Sequence, residues 1–308
     1  MLERIKSVLG SETPKPATAP QAPAASPGAM GGAQPAPIDL EQAYAVLMRH
    51  LLAPPLEVET HVDADTLARL LKRVETTWSD LGREDAHWSV ITDDRFHKDT
   101  LEENIDLFFQ MGESDIGRVA AALARVGASM GDIGSVIDFG CGVGRLSIPL
   151  ARQTGHVTGV DISAAHLAEA RRNVERLALD NLDLRQISSV AEIADLPQVD
   201  LVVSIIVLQH NPPPVMREIL AGLCGRVKPG GYLYIQAPTY KNEYRYSATE
   251  DQLDVSREME MHLLPQHVFF ETIQEAGLTI LEVLEDAAAY DLAYRSQVVL
   301  CRKRADAV

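Results

Sequence analysis

From residue 135 onward, short runs of Val, Ile and Leu alternate with segments whose apolar side chains recur every three or four positions. The runs predict strands at 135–139, 156–160, 182–187, 199–206 and 231–236. The periodic segments predict helices at about 144–153, 164–178 and 214–227, between most of those strands. Uniformly apolar strands joined by helical crossovers imply an α/β fold with a parallel sheet covered on both faces. A helix at 266–276, ended by Gly277, and strands near 278–284 and 296–302 complete the series. The connection 285–295 is too short and irregular for a crossover helix, so the last two strands are expected to run antiparallel.

Upstream the pattern is helical throughout. Leu40, Val46, Leu47 and Leu51 share a face over 39–52, which Pro54 and Pro55 close. Asp63 or Asp65 caps a second helix whose Leu67, Leu70, Leu71, Val74 and Trp78 lead to Gly82. A polar and aromatic stretch, 83–96, breaks the periodicity, and helices at about 98–111 and 114–127 follow. Residues 11–37 hold seven of the 17 prolines, so the folded body is expected from about residue 38. Three parts result: a disordered tail over 1–37, a helical cap or substrate region over 38–130, and a cofactor-binding sheet over 131–308. At the very start, Leu2, Ile5, Val8 and Leu9 would share one face of a short helix that could dock on a partner or a membrane surface.

Charge narrows the choice of partner. Lys and Arg number 28 against 44 Asp and Glu, a net charge of -16 over 308 residues, and no basic cluster interrupts it. Such a surface repels a phosphate backbone, which makes nucleic acid an unfavourable substrate. Cys141, Cys224 and Cys301 are too few and too scattered for a disulfide framework or a zinc knuckle, which points to a reducing, cytoplasmic location. No stretch approaches the roughly 20 apolar residues that cross a bilayer.

The chemistry sits at the first strand's end, in Asp138-Phe139-Gly140-Cys141-Gly142-Val143-Gly144. Glycines there let the backbone turn sharply and lie against a ligand. A dinucleotide fingerprint would read G-x-G-x-x-G, whereas here a carboxylate precedes the first glycine of D-x-G-x-G-x-G. That charge disfavours a pyrophosphate and favours an ammonium or sulfonium. The second strand ends in Asp161, 17 residues after Gly144, where a carboxylate can accept from both hydroxyls of a ribose. Together the two acids specify an adenosine carrying a cationic tail.

On these motifs the chain resembles the class I S-adenosylmethionine-dependent methyltransferases. The resemblance covers about 134–302 and implies a Rossmann-like, seven-stranded, mostly parallel sheet with an α-helical N-terminal cap. It implies S-adenosyl-L-methionine as cofactor, with Asp138 and the loop of Gly140, Cys141, Gly142 and Gly144 on its methionine part. Asp161, with Ile162 beside it, would hold the ribose. Many members carry an Asp after the third strand for the adenine; this chain has Ser189 and Val190 there, and Ser189 can still hydrogen-bond the base. No metal is implied.

The fourth strand runs into Val207-Leu208-Gln209-His210-Asn211-Pro212-Pro213-Pro214, and the carboxyl end of a parallel strand faces the ligands. In the V-L-Q-H methyltransferases that this stretch resembles, the histidine lies beside the methyl donor. His210 is therefore the catalytic candidate, as a base toward a substrate hydroxyl or as a residue that orients the loop. Trp78, His87, Trp88, Arg95 and Phe96, with Tyr240, Tyr244, Tyr246 and His262, are candidate substrate walls or, alternatively, packing residues. The reading that results is methyl transfer to an oxygen or nitrogen of a small molecule or glycan. A non-catalytic S-adenosylmethionine-binding scaffold and a nucleic-acid methyltransferase are the alternatives.

Overall fold

The computed structural model describes residues 55–251, 259–286 and 294–305, together with Glu41, Tyr44 and Met48, which are helical. The N-terminal peptide and the Pro/Ala-rich segment lie outside the described residues. Residues Tyr44–Val308 form one compact unit. From residue 55 the described chain runs through a two-residue strand, β1 (Glu57–Val58), and two long helices, α1 (Ala64–Val90) and α2 (Leu101–Arg125). Asp63 caps α1 by accepting from the Thr66 amide at 2.8 Å.

The alternating part follows as β2 (Ser135–Phe139), α3 (Ser147–Ala151), β3 (His156–Asp161), α4 (Ala164–Arg176), β4 (Leu182–Gln186), β5 (Val199–Ser204), α5 (Pro213–Cys224) and β6 (Val227–Lys241). Then come β7 (Arg245–Tyr246), which pairs with β1, and the short α6 (Ala248–Asp251). The chain ends in α7 (Gln266–Glu275), β8 (Leu278–Asp286) and β9 (Tyr294–Lys303). Seven strands form one sheet in the order β4-β3-β2-β5-β6-β9-β8. The last two strands do pair antiparallel, but β9 alone runs against the sheet, because it is antiparallel to both β6 and β8.

Packing crosses residue 130 freely. Leu70 and Leu71 of α1 share a core with β2, β5 and β6, and Ile116, Val119 and Leu123 of α2 share the core on the other face. A third, smaller cluster joins Ala86, Ile91, Phe96 and Phe108 to Val143 of the glycine loop.

Two helix ends differ from the pattern in the sequence. α1 runs past Gly82 to Val90, with a kink at Asp85 (φ -157°, ψ 89°). α2 is a single helix where two were expected, with Gly112 inside it. Both glycines are contact points: a Cβ on Gly82 would fall 2.6 Å from His166 Nδ1, and one on Gly112 would fall 2.1 Å from the Arg145 carbonyl.

Candidate functional site

The sheet order makes the site. From β2 the chain proceeds outward to β3 and β4, then returns to β5 on the other side of β2, so the loops after β2 and β5 diverge at the carboxyl end of the sheet. A cavity of about 960 Å³, counting its open mouth, occupies that crevice. Phe139, Gly140, Cys141 and Gly142 line it from β2, Asp161 and Ile162 from β3, and Ser189 and Val190 from beyond β4. Ile205, Ile206, Val207 and His210 line it from β5, and α1 roofs it with Leu71, Val74, Trp78 and Val90.

Asp161 organises the floor. Its Oδ2 accepts from the Gly142 amide and its Oδ1 from the Ser163 amide, each at 2.8 Å. One lone pair on each oxygen remains for a ligand hydroxyl. The loop above can approach closely because Gly140 and Gly142 carry positive φ (76° and 52°) and no side chain. A Cβ would meet Val207 Cγ2 at 2.3 Å from Gly140 and Val90 Cγ2 at 2.7 Å from Gly142.

Asp138 and Gly144 do not line the cavity. Asp138 lies wholly buried beneath the loop, where Ser147 Oγ donates to its Oδ2. Burial pushes its carboxyl up to about 6. Any influence on a ligand therefore passes through the loop, not through contact. Gly144 turns the loop into α3, donating its amide to the Cys141 carbonyl at 2.9 Å. Cys141 does line the cavity, but burial together with Asp161 and Asp138 holds its thiol protonated. Ser189 also faces the cavity, while its hydroxyl donates to Glu192 Oε1 at 3.0 Å.

His210 has a defined tautomer. Its Nδ1 lies 2.9 Å from the Glu260 carbonyl, which can only accept, so Nδ1 carries the proton and Nε2 keeps its lone pair. Burial drives its pKa down to about 4, which makes the ring neutral at physiological pH. The Trp78 ring meets His210 edge-on at 5.1 Å.

Behind His210 stands a polar cluster. His262 donates its amide to the Gln209 carbonyl at 2.7 Å, and its ring lies between Glu260 Oε2 (2.8 Å) and the Tyr244 hydroxyl (2.9 Å). Asp251, Glu260 and His262 come close enough to share a cation. The positive charge among them is the Arg73 guanidinium, at 2.8 Å from Asp251 and 3.0 Å from Glu260. Tyr244, Tyr246 and His262 thus tie α1 to the chain beyond β6, away from the cavity lining. Of the candidate substrate walls, Trp78 alone lines the cavity. Trp88 stacks on His97, Phe96 is fully buried against Phe108, His87 packs on Phe108, and Arg95 pairs with Asp93 at the surface.

His166 is a lining residue that the pattern of the sequence gave no reason to single out. It sits between Ser163 Oγ and Ser89 Oγ, 2.8 Å from each, and Ser163 Oγ donates to the Trp78 carbonyl at 3.1 Å. These bonds fasten the roof to the first turn of α4.

An adenosine with a cationic tail fits these groups: a carboxylate with lone pairs to spare at the tip of β3, a wall of bare backbone, and Asp138 beneath it. The comparisons agree. Residues 136–231 match the methyltransferase domain family. The ubiquinone biosynthesis O-methyltransferase of Stutzerimonas stutzeri is 38% identical over 100 residues, which cover 32% of this chain and 42% of that protein. Its counterpart in Pseudomonas fluorescens Pf0-1 is 31% identical over 161 residues, covering 48% and 66%. The ribosomal RNA small subunit methyltransferase C of Alcanivorax borkumensis is 33% identical over 138 residues, covering 42% and 40%. The chain thus spans about two fifths of the length of the first and last of these relatives. The magnesium protoporphyrin IX methyltransferase of Synechocystis, solved with S-adenosylhomocysteine, shares the fold, with a TM-score of 0.53 at 19% identity over 76% of this chain and 99% of that one. By its glycine motif, its sheet order and its match to the methyltransferase domain, this chain belongs to the class I S-adenosylmethionine-dependent methyltransferases.

Proposed function

We propose that the chain binds S-adenosylmethionine in this cavity and catalyses methyl transfer to an oxygen or nitrogen of a small molecule or glycan. The observation that carries the reading is one cavity that joins Asp161, the glycine loop and a neutral His210 at the switch point of the sheet. Asp161, with Ile162, would hold the ribose, Ser189 and Val190 the adenine, and the backbone at Gly140 to Gly142 the methionine part. When bound, the cofactor would supply a methyl group on a sulfonium, open to in-line attack by an acceptor lone pair with the thioether as leaving group.

What remains for the protein is position and dryness. His210 Nε2 can accept a hydrogen bond from an acceptor hydroxyl and so aim its lone pair. With a pKa near 4 it takes a proton poorly at pH 7, so orientation is its main contribution. Trp78, Val90 and Ile205 keep water out. The O-methyltransferase names of two relatives favour oxygen over nitrogen as the atom methylated.

The ribosomal RNA relative supports a second reading, a nucleic-acid substrate. Against it stand the net charge of -16 and a cavity whose lining Arg145 is held by Asp115. Binding to RNA at low salt, absent on the small-molecule reading, separates the two.

The test is turnover of labelled S-adenosylmethionine over a panel of phenolic, sugar and amine acceptors, repeated with His210→Ala. Product from the wild type, with a loss of ten- to a hundredfold in kcat for the variant, is expected for a positioned acceptor. Full activity in the variant would remove His210 from the mechanism. Cofactor binding without transfer to any acceptor would favour a scaffold role.

A further inference from the structure

Ile206 follows the end of β5 and lines the cavity with φ +61°, a left-handed conformation that a β-branched residue rarely adopts. Strained backbone persists only where its surroundings hold it. Here one side chain does so directly: the Ile206 amide donates to Gln236 Oε1 at 2.7 Å. Ladder pairing between β5 and β6 ends at Ser204 and Ile235, so this amide has passed beyond the reach of the sheet.

Gln236 lies in β6 with 1% of its surface exposed. Its Nε2 donates to Gln209 Oε1 at 3.1 Å and to Ser296 Oγ at 2.6 Å, while Ser296 passes its own proton to Asp286 Oδ2 at 3.0 Å. Two acceptors on the nitrogen side fix the orientation of the carboxamide, and its oxygen is left facing Ile206. A buried amide in the middle of a sheet is unfavourable unless every donor and acceptor is used, and here they are.

We propose that Gln236 is a positioning residue for the site: its carboxamide oxygen holds the left-handed turn at Ile206. That turn sends Val207 across Gly140, where the missing Cβ leaves it room, and leads into Leu208–His210. Gln236 touches no ligand position itself. It acts through the backbone that separates the glycine loop from His210.

Two measurements test this on the full chain. In the free wild type, the Ile206 amide should exchange with deuterium as slowly as the amides of β5; exchange at the rate of an exposed loop amide would overturn the proposal. The second measurement is the Kd of S-adenosylhomocysteine by calorimetry for Gln236→Met and Ile206→Gly, singly and together. Gln236→Met should weaken binding about tenfold, the usual worth of one buried hydrogen bond. In the Ile206→Gly background, where glycine holds φ +61° unaided, the same change should cost less than about threefold. No loss in Gln236→Met, or an equal loss in both backgrounds, would overturn the proposal, because a merely structural glutamine gives additive effects. Should Gln236→Met fail to fold, the exchange rate at Ile206 decides. The binding arm rests on the proposed cofactor; a wild type that binds no S-adenosylhomocysteine counts against that reading, while amide exchange still judges this one.

Discussion

Asp138 and Asp161 look alike in the sequence, each an acid at the end of an apolar strand, and the fold separates their tasks. Asp161 is half-buried on the cavity floor with capacity left for a ligand, whereas Asp138 is sealed beneath the loop. Both acids were legible in the motif; which one touches the cavity was not, because contact depends on which side of the loop each side chain falls. The titration of Asp138 gives a signed prediction. Its folded pKa, about 6, lies above the ordinary 3.8, so the stability it contributes is fully present below pH 3.8 and is lost as the pH rises through 6. Asp138→Asn, which can still accept from Ser147, should therefore melt a few degrees higher than the wild type at pH 8, with the gap about halved at pH 5. Differential scanning calorimetry at the two pH values checks this.

At the level of elements, the strands were the most legible part. β2 was placed to the residue, because a central strand buried on both faces reads as one apolar run. The edges of the helices were less so, and the two misplaced ends share a cause. Gly82 and Met111-Gly112 look like helix terminators, but each glycine sits where another element presses against the helix: His166 at one, the Arg145 carbonyl at the other. Periodicity records a helix's own backbone preferences and carries no trace of a neighbour three or four ångströms away. Gln236 was missed for the same reason, since its partners come from the loop after β5 and from β9. Gly82→Ala puts a methyl group into His166 and should push α1 off α4. A loss of about 1–3 kcal/mol in unfolding free energy is expected from such overpacking, with weaker S-adenosylhomocysteine binding, since the same helix roofs the cavity. Urea titration with and without the ligand measures both.

For the molecule as a whole, buried histidines set the response to acid. Burial lowers the pKa of His87, His166 and His210, the last to about 4, so each is held neutral in the fold. Unfolded, each would bind a proton below about 6.5, and stability therefore falls as the pH drops from 6.5 toward 4. Asp138 acts in the opposite direction from about pH 6 downward, but it is one group against three. The urea midpoint should decline between pH 7 and pH 5, and His87→Leu should flatten the decline, because His87 Nε2 is buried without a partner among the described residues. The acidity of the chain, -16 overall, acts at the same scale by disfavouring polyanionic partners and tolerating a cationic one.

The central claim is that Asp161 and the glycine loop form a site for an adenosine with a sulfonium tail. Isothermal titration of the full chain with S-adenosylhomocysteine, wild type beside Asp161→Ala, tests it most directly. The account predicts a single saturable site in the wild type and binding at least tenfold weaker in the variant. No heat of binding in the wild type, or equal affinity in the two proteins, would contradict it.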